Sequence, residues 1–368
     1  MSLFKKKLQQ KYGSSRNSQN RIQCTKFNLK MTLEDRIESF DRLKSIIENQ
    51  SAADKKYLFT KATNQNPWFT HENIALALQG VAKFLDKKSL SEWASPYVLE
   101  GDKSIKRVGV AMAGNIPLVG FHDLLCVLIS GHVLVAKLSS QDTVLMEFIC
   151  NQLKQIDSRF RELIFIEERL TDIDAVIATG SDNTGRYFEY YFRNIPHIIR
   201  KNRSSCAVIR GEENEAELKE LGKDVFSYFG QGCRNISKLF LPAGYDIKKI
   251  MKAWEEYGPI VNHNKYANNY HYQHSILLIN LIHFFDNGSV ILTESKSLVS
   301  PIAIVYYEFY DDLTQLEKRL DENKEKIQCI ASADRWYPKS VAFGGTQTPG
   351  LSDYADEVNT LEFLASIA

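Results

Sequence analysis

Apolar residues recur at helical spacing through residues 32–50, where Leu33, Ile37, Phe40, Leu43 and Ile46 alternate with charged positions. This spacing predicts a surface helix, and Thr32, followed by two acids, is its natural cap. Residues 71–94 repeat the pattern with Ile74, Leu76, Leu78, Val81, Phe84 and Leu85. Trp68, Trp93 and Tyr97 read as packing residues around these helices. The period then changes. Val108–Met112 is a short apolar strand, 116–130 an apolar helix, Val133–Ala136 a second strand and 141–155 a second helix. Ile164–Ile166 and Ala175–Ala178 follow as strands, the latter running into Thr179-Gly180-Ser181. Strand and helix in alternation predict a parallel sheet with crossover helices, and strands apolar throughout predict burial on both faces.

A second series starts at Ala207-Val208-Ile209. An acidic amphipathic helix over 214–229 leads to Cys233, and a strand around Leu239-Phe240-Leu241 follows. A helix over 247–257, strands at Ile276–Ile279 and Ile302–Tyr307, a charged helix over 313–326 and a strand at Ile327–Ile330 continue the α/β pattern. The segment Tyr266–His274, dense in Tyr, His and Asn, reads as a polar loop. It carries His271 and His274, with His263 just before. No acidic partner or helical spacing of four joins them, so no metal site is expected.

Length and composition add bounds. A chain of 368 residues has room for two domains of ordinary size, and 44% hydrophobic with 25% charged residues is globular composition. No apolar run approaches the ~20 residues that cross a bilayer. Residues 1–30 lack the apolar core of a signal peptide, so a cytoplasmic location without a membrane span is expected. The six cysteines are scattered without a C-x-x-C pair, which argues against a disulfide framework or zinc cluster. Residues 1–30 carry eight Lys or Arg and no acid, leaving 38 basic against 45 acidic residues in the rest. That basic tail reads as a disordered extension before Met31. Contact with nucleic acid or anionic lipid is the alternative, and no nucleic-acid partner is expected.

Four features carry candidate chemistry. Phe229-Gly230-Gln231-Gly232-Cys233-Arg234 sets a cysteine on a glycine-bounded turn, where a thiolate can face a cleft; a small buried side chain is the plain alternative. In Gly114-Asn115-Ile116-Pro117-Leu118, the Asn115 amide can donate to a developing oxyanion or simply cap a helix. Lys137 ends a strand, where open α/β sheets bind ligands, and can meet a ribose or phosphate or only solvent. The turn Gly180-Ser181-Asp182-Asn183-Thr184-Gly185 runs from strand to helix and offers free N–H groups to a pyrophosphate.

In this order, with 22 positions from Asn115 to Lys137, the four resemble the aldehyde dehydrogenase superfamily. The closing Phe343-Gly344-Gly345 with Phe363 resembles that superfamily's C-terminal loop. The fuller strings GNIPLVGFHD, KLSSQD, IIRKNRSS, FSYFGQGCRN, SPIAIVYYE and DYADEVNTLEFL resemble a narrower branch, the acyl-CoA reductase family of the LuxC type, over roughly residues 32–366. The resemblance implies a Rossmann-type cofactor domain over 31–203 and an α/β catalytic domain over 204–340. A C-terminal segment, 341–368, would return to the cofactor domain. It implies Cys233 as nucleophile and Asn115 as oxyanion donor, with the cofactor held by Lys137, Ser140, Gly180, Ser181, Gly185 and a shifted Glu294.

Departures from the superfamily sharpen the expectation. The position of its water-activating Glu falls here on Ile199-Arg200, without a carboxylate. His197, two residues earlier, is the candidate base, or a structural histidine. Ser140 stands where a family acid pairs with the adenosine ribose, which leaves room for a 2′-phosphate and favours NADPH. The chain ends soon after Phe363, so the usual tetramer is not assumed, though a homo-oligomer is expected. The implied activity is NADPH-dependent reduction of a fatty acyl thioester, from acyl-CoA or an acyl-protein, with an acyl-protein synthetase as partner. The alternatives are a CoA-acylating aldehyde dehydrogenase using NAD on a shorter aldehyde, and a scaffold that keeps the fold without chemistry.

Overall fold

The computed structural model describes residues 31–101, 104–180 and 182–368, without the side chains of Asp182 and Asn183. The basic tail therefore lies outside the described residues. The described residues divide into two compact units, 31–201 with 350–368 and 202–349. The loop 341–349 thus belongs to the second unit, and the return to the first begins at Gly350.

The first unit opens with four helices, α1 (Leu33–Glu48), α2 (Ala52–Gln65), α3 (His71–Phe84) and α4 (Lys87–Ala94). Thr32 caps α1 in a reciprocal box, its hydroxyl accepting from the Asp35 N–H while the Asp35 carboxylate accepts from the Thr32 N–H. The helix predicted over 71–94 is two, because Asp86 caps a new start at α4. There follow β1 (Arg107–Ala111), α5 (Phe121–Ile129), β2 (Val133–Lys137), α6 (Thr143–Ile156), β3 (Ile164–Ile166), β4 (Ala175–Thr179), α7 (Asp182–Phe192) and β5 (His197–Arg200). All five strands are parallel, in the order β3-β2-β1-β4-β5. Val108, Val110, Leu134, Ala136, Val176 and Ile177 are fully buried, as strands covered on both faces require. The strand order reverses between β1 and β4, which makes their carboxyl ends the switch point where such sheets bind ligands. Helix α5 starts at Phe121 and not near 116, because Pro117 is followed by Leu118 in the left-handed region at φ +58°.

The second unit contains β6 (Ser204–Val208), α8 (Glu215–Phe226), β7 (Ile236–Pro242), α9 (Lys248–Ala253), α10 (Asn264–Ile279), β8 (Phe284–Asp286), β9 (Ile291–Glu294), β10 (Ile304–Tyr310), α11 (Leu313–Asp321), β11 (Ile327–Ser332) and β12 (Val341–Ala342). The last helix, α12 (Thr360–Ser366), belongs to the first unit. The second sheet runs β12-β11-β6-β7-β10-β9-β8, parallel except for the edge pair β8–β9. Residues 276–279, read as a strand, are the last turn of α10, and the expected polar loop is its body. Only Tyr266, Tyr270 and Leu277 of that helix are buried, so no apolar stripe marks it in the sequence.

The first unit is tied at its C-terminal segment by a buried ion pair. Arg200, at the carboxyl end of β5, sends Nη1 to both Asp123 oxygens at 2.7 and 2.6 Å, and Nη2 to Thr360 Oγ1 at 2.8 Å. Burial works against the Arg200 charge, and the Asp123 carboxylate more than offsets it, so the guanidinium pKa is raised. Removing one partner strands the other in a dry interior. Asp123→Ala is expected to cost about 3–5 kcal/mol in urea unfolding of the first unit. A loss under about 1 kcal/mol would show that water reaches Arg200.

Candidate active site

In the first unit, four loops leave the carboxyl edge of the sheet. Ala111 lies in register with both Lys137 and Ala178, so β1, β2 and β4 end at one level. The exposed Asn115 follows β1, Lys137 ends β2, the exposed Ser140 follows it, and Gly180 follows β4. Lys137 Nζ donates to the carbonyl of Glu168 in the loop after β3, which holds the ammonium at this edge. A Cβ on Gly180 would lie 2.9 Å from Thr184 Cγ2, so a side chain in the turn from β4 into α7 would force its neighbours to shift. Gly185 is different, since an added Cβ there would make only ordinary contacts, the nearest at 3.7 Å. Ser181 lies outside the described residues. His197 begins β5 and therefore sits at the amino edge, opposite Lys137, with Nδ1 2.8 Å from the Ile195 carbonyl oxygen. The sheet separates it from the edge that gathers Asn115, Lys137, Ser140 and Gly180. Adjacency in sequence to Arg200 thus becomes the length of a strand.

In the second unit, Cys233 is the exposed cysteine among those described. Cys126, Cys150 and Cys206 are buried, and burial pushes their thiols up, that of Cys150 to about 12. The chain approaches Cys233 through three consecutive left-handed residues, Tyr228 (φ +51°), Phe229 (φ +58°) and Gly230 (φ +75°). Such conformations persist only where surrounding contacts enforce them. The buried Asn235 supplies those contacts. Its Oδ1 accepts from the Gly232 N–H at 2.8 Å, and its Nδ2 donates to the carbonyls of Asp224 and Ser227 at 2.9 and 2.8 Å. The Phe229 ring lies against His263 with centroids 4.3 Å apart, at the start of α10. From the start of β6, Ser205 Oγ donates to the Cys233 carbonyl oxygen at 2.9 Å and lies 3.1 Å from Cys329 Sγ. Cys233 thus sits before β7, at the amino edge of the second sheet. Glu294 ends β9 and is exposed, in register with Tyr307 and through it with Leu239 in mid-β7. It lies two strands away from the Cys233 turn and higher along the sheet.

Several functional neighbours were not singled out in the sequence. Asp224, on α8, is completely buried and accepts from Gly344 N, Thr346 N and Thr346 Oγ1 at 2.7, 3.0 and 2.8 Å. It pins the Phe343-Gly344-Gly345 loop to the helix that leads to Cys233. An acid on the apolar face of an amphipathic helix was its one visible signal. Burial pushes the Asp224 carboxyl up to about 6, against the pull of the Thr346 and Gly344 donors. The folded unit therefore keeps a proton that the unfolded chain releases near pH 4, so this contribution to stability is full below about pH 4 and lost as pH rises through about 6. Thermal unfolding across that window is expected to show a fall with pH that Asp224→Asn removes. Equal slopes in the two proteins would contradict this assignment.

No family model matches the chain, and neither does any curated protein. Solved structures do. An NAD+ complex of aldehyde dehydrogenase from Bacillus cereus aligns with a TM-score of 0.59 and 13% identity, covering 82% of this chain and 72% of that one. A variant of aldehyde dehydrogenase C from Pseudomonas syringae, complexed with NAD+ and octanal, aligns with a TM-score of 0.60 and 9% identity over 83% and 73%. A 3,6-anhydro-L-galactose dehydrogenase complexed with NAP gives 0.59 and 14% over 83% and 75%. At these identities the likeness speaks for the fold, and the fold is that of the aldehyde dehydrogenases.

Proposed function

We propose that this protein reduces a fatty acyl thioester to an aldehyde with NADPH, through a thioester on Cys233. The observation that carries the reading is Arg200. It stands where the resemblance puts the carboxylate that activates water, and its guanidinium is committed to Asp123 and Thr360. A guanidinium does not take up a proton as a general base does. An acyl-enzyme without that base is protected from hydrolysis, which suits acyl transfer from one thiol to another.

Cys233 attacks as thiolate. Its sulfur forms the new bond to the thioester carbon, and the donor thiol leaves with the bond to that carbon broken. The developing oxyanion is assigned two donors, the Asn115 amide and the Cys233 backbone N–H. One such donor is typically worth ~10²–10³ in rate. The first unit's residues fit a dinucleotide: an ammonium, Lys137, and a helix start after Gly180 lie at the switch point, with a hydroxyl, Ser140, where a ribose-pairing acid would stand. A dinucleotide held by these residues would supply hydride, which with a proton from solvent would turn the acyl-enzyme into aldehyde and free the Cys233 thiol. Glu294 is retained as a contact to the cofactor, and His197 is not given a proton-transfer role. The acyl donor is a fatty acyl-CoA or acyl-protein, with a synthetase partner for the latter. The octanal complex of a structural neighbour is compatible with an aliphatic product.

NADPH oxidation with a ladder of acyl-CoAs is expected to peak at long chains and to vanish in Cys233→Ala. A peak at short chains with NADH preferred would favour the CoA-acylating dehydrogenase instead. Ser140→Glu is expected to lower the preference for NADPH over NADH about tenfold or more, because a carboxylate would face the 2′-phosphate. Unchanged selectivity would remove Ser140 from the cofactor contact.

A further inference from the structure

Asp142 has no part in the reading above, yet it is the most conspicuous polar group at the cofactor edge of the first unit. It is 1% exposed, and its Oδ1 has no hydrogen-bond partner among the described residues. It occupies the cap position of α6 but makes no side-chain bond to that helix. Gln65 of α2 does that work instead, its Oε1 accepting from Val144 N at 3.1 Å. The Asp142 carboxylate turns to the neighbouring loop, where Oδ2 accepts from Leu118 N at 2.7 Å. Leu118 is the left-handed residue of the Asn115 loop. A side chain with a local use has been diverted to hold a strained backbone next door.

A second contact joins the same two loops. A Cβ on Gly114 would lie 2.6 Å from Ser139 Cβ and 3.3 Å from Asp142 Cβ. Gly114 and Leu118 bracket Asn115, and both rest on the segment that runs from Lys137 through Ser140 to Asp142. The β1 and β2 ends beneath are further joined by Met112 N donating to the Lys137 carbonyl oxygen at 3.0 Å. Asn115 is therefore positioned by the loop that carries the proposed cofactor contacts, and not by its own helix, which begins only at Phe121.

We propose that Asp142 is a positioning residue that couples the Lys137–Ser140 loop to the Asn115 loop, so that cofactor binding on one orders the oxyanion donor on the other. This rests on the reading of Asn115 and Lys137 given above. Burial pushes the Asp142 carboxyl up to about 7, the bond from Leu118 opposing it. A carboxylate kept in so dry a place, with one oxygen unused, is costly as mere scaffolding.

The test compares wild type, Asp142→Ala and Asp142→Asn by steady-state kinetics and by hydrogen–deuterium exchange of the peptide 113–119. In wild type, NADPH is expected to slow exchange in that peptide. Asp142→Ala is expected to lose this protection and to lower kcat about 10–100-fold, a large share of one oxyanion donor, while NADPH affinity stays within about threefold. Asp142→Asn keeps an oxygen for Leu118 N and is expected to restore kcat to within about threefold of wild type. Protection and kcat that survive in Asp142→Ala would overturn the coupling. If Asp142→Ala does not fold, Asp142→Asn decides, and a kcat loss beyond tenfold in it would overturn the role given to the Leu118 bond. A wild type without turnover on any acyl-CoA would count against acyl-CoA as the donor and would not touch the coupling. The exchange of 113–119, free and with NADPH, would then still decide for or against the coupling.

Discussion

The Cys233 turn depends on one buried amide. Asn235 takes the Gly232 N–H on its oxygen and gives its two hydrogens to carbonyls at the end of α8, where Asp224, Val225 and Ser227 all lie within reach. Without it, three successive left-handed residues would lose the ties that fix the chain on either side of them, and such a backbone has easier conformations to relax into. The side chain of Asp224 extends the same knot to Gly344 and Thr346. The Cys233 turn, the helix end and the glycine-rich loop are thereby one hydrogen-bonded body. Ser205 adds a tie to the Cys233 carbonyl from below. Cys233 is exposed on this fixed backbone, while desolvation raises the pKa of the buried Cys150 and of the half-buried Cys329.

The first unit uses the same economy at a sheet edge. Short strands apolar on both sides set the heights of their ends, and the loops beyond carry the polar chemistry. Two buried carboxylates then fix what the strands cannot. Asp123 anchors Arg200 and the returning C-terminal helix, and Asp142 anchors the Asn115 loop. Asp123 lies on a helix whose apolar run gave no reason to expect an acid, and Asp142 at a cap position whose usual bond it does not make. Buried charge is weak as a source of stability and strong as a specifier of one geometry, since only one arrangement satisfies it.

Much of this was legible because burial writes itself into runs of Val, Ile, Leu and Ala. The strands β1, β2, β3 and β4 and the α/β class followed from those runs, and Cys233, Asn115 and Lys137 fell at ends that the pattern had already marked. What remained hidden has physical causes. Helix α10 buries so few residues that its Tyr, His and Asn positions show no period. The start of α5 was misplaced because Pro117 and Leu118 shape a loop out of an apolar stretch. His197 and Arg200 are close in sequence, and a parallel strand carries its two ends to opposite edges, which spacing alone does not report. Asp142, Asp224 and Asn235 act through partners that are distant or reached only by a turn, and spacing along the chain does not report such bonds.

The central claim is that Cys233, held on this turn, carries the acyl group. The most direct measurement is to incubate the protein with a labelled long-chain acyl-CoA without NADPH, digest it and map the label by mass spectrometry. The account predicts a single acylated site, Cys233, with a thioester that persists against water because Arg200 supplies no base. Label on Cys329 or elsewhere, or an acyl group lost to hydrolysis as fast as it forms, would contradict it.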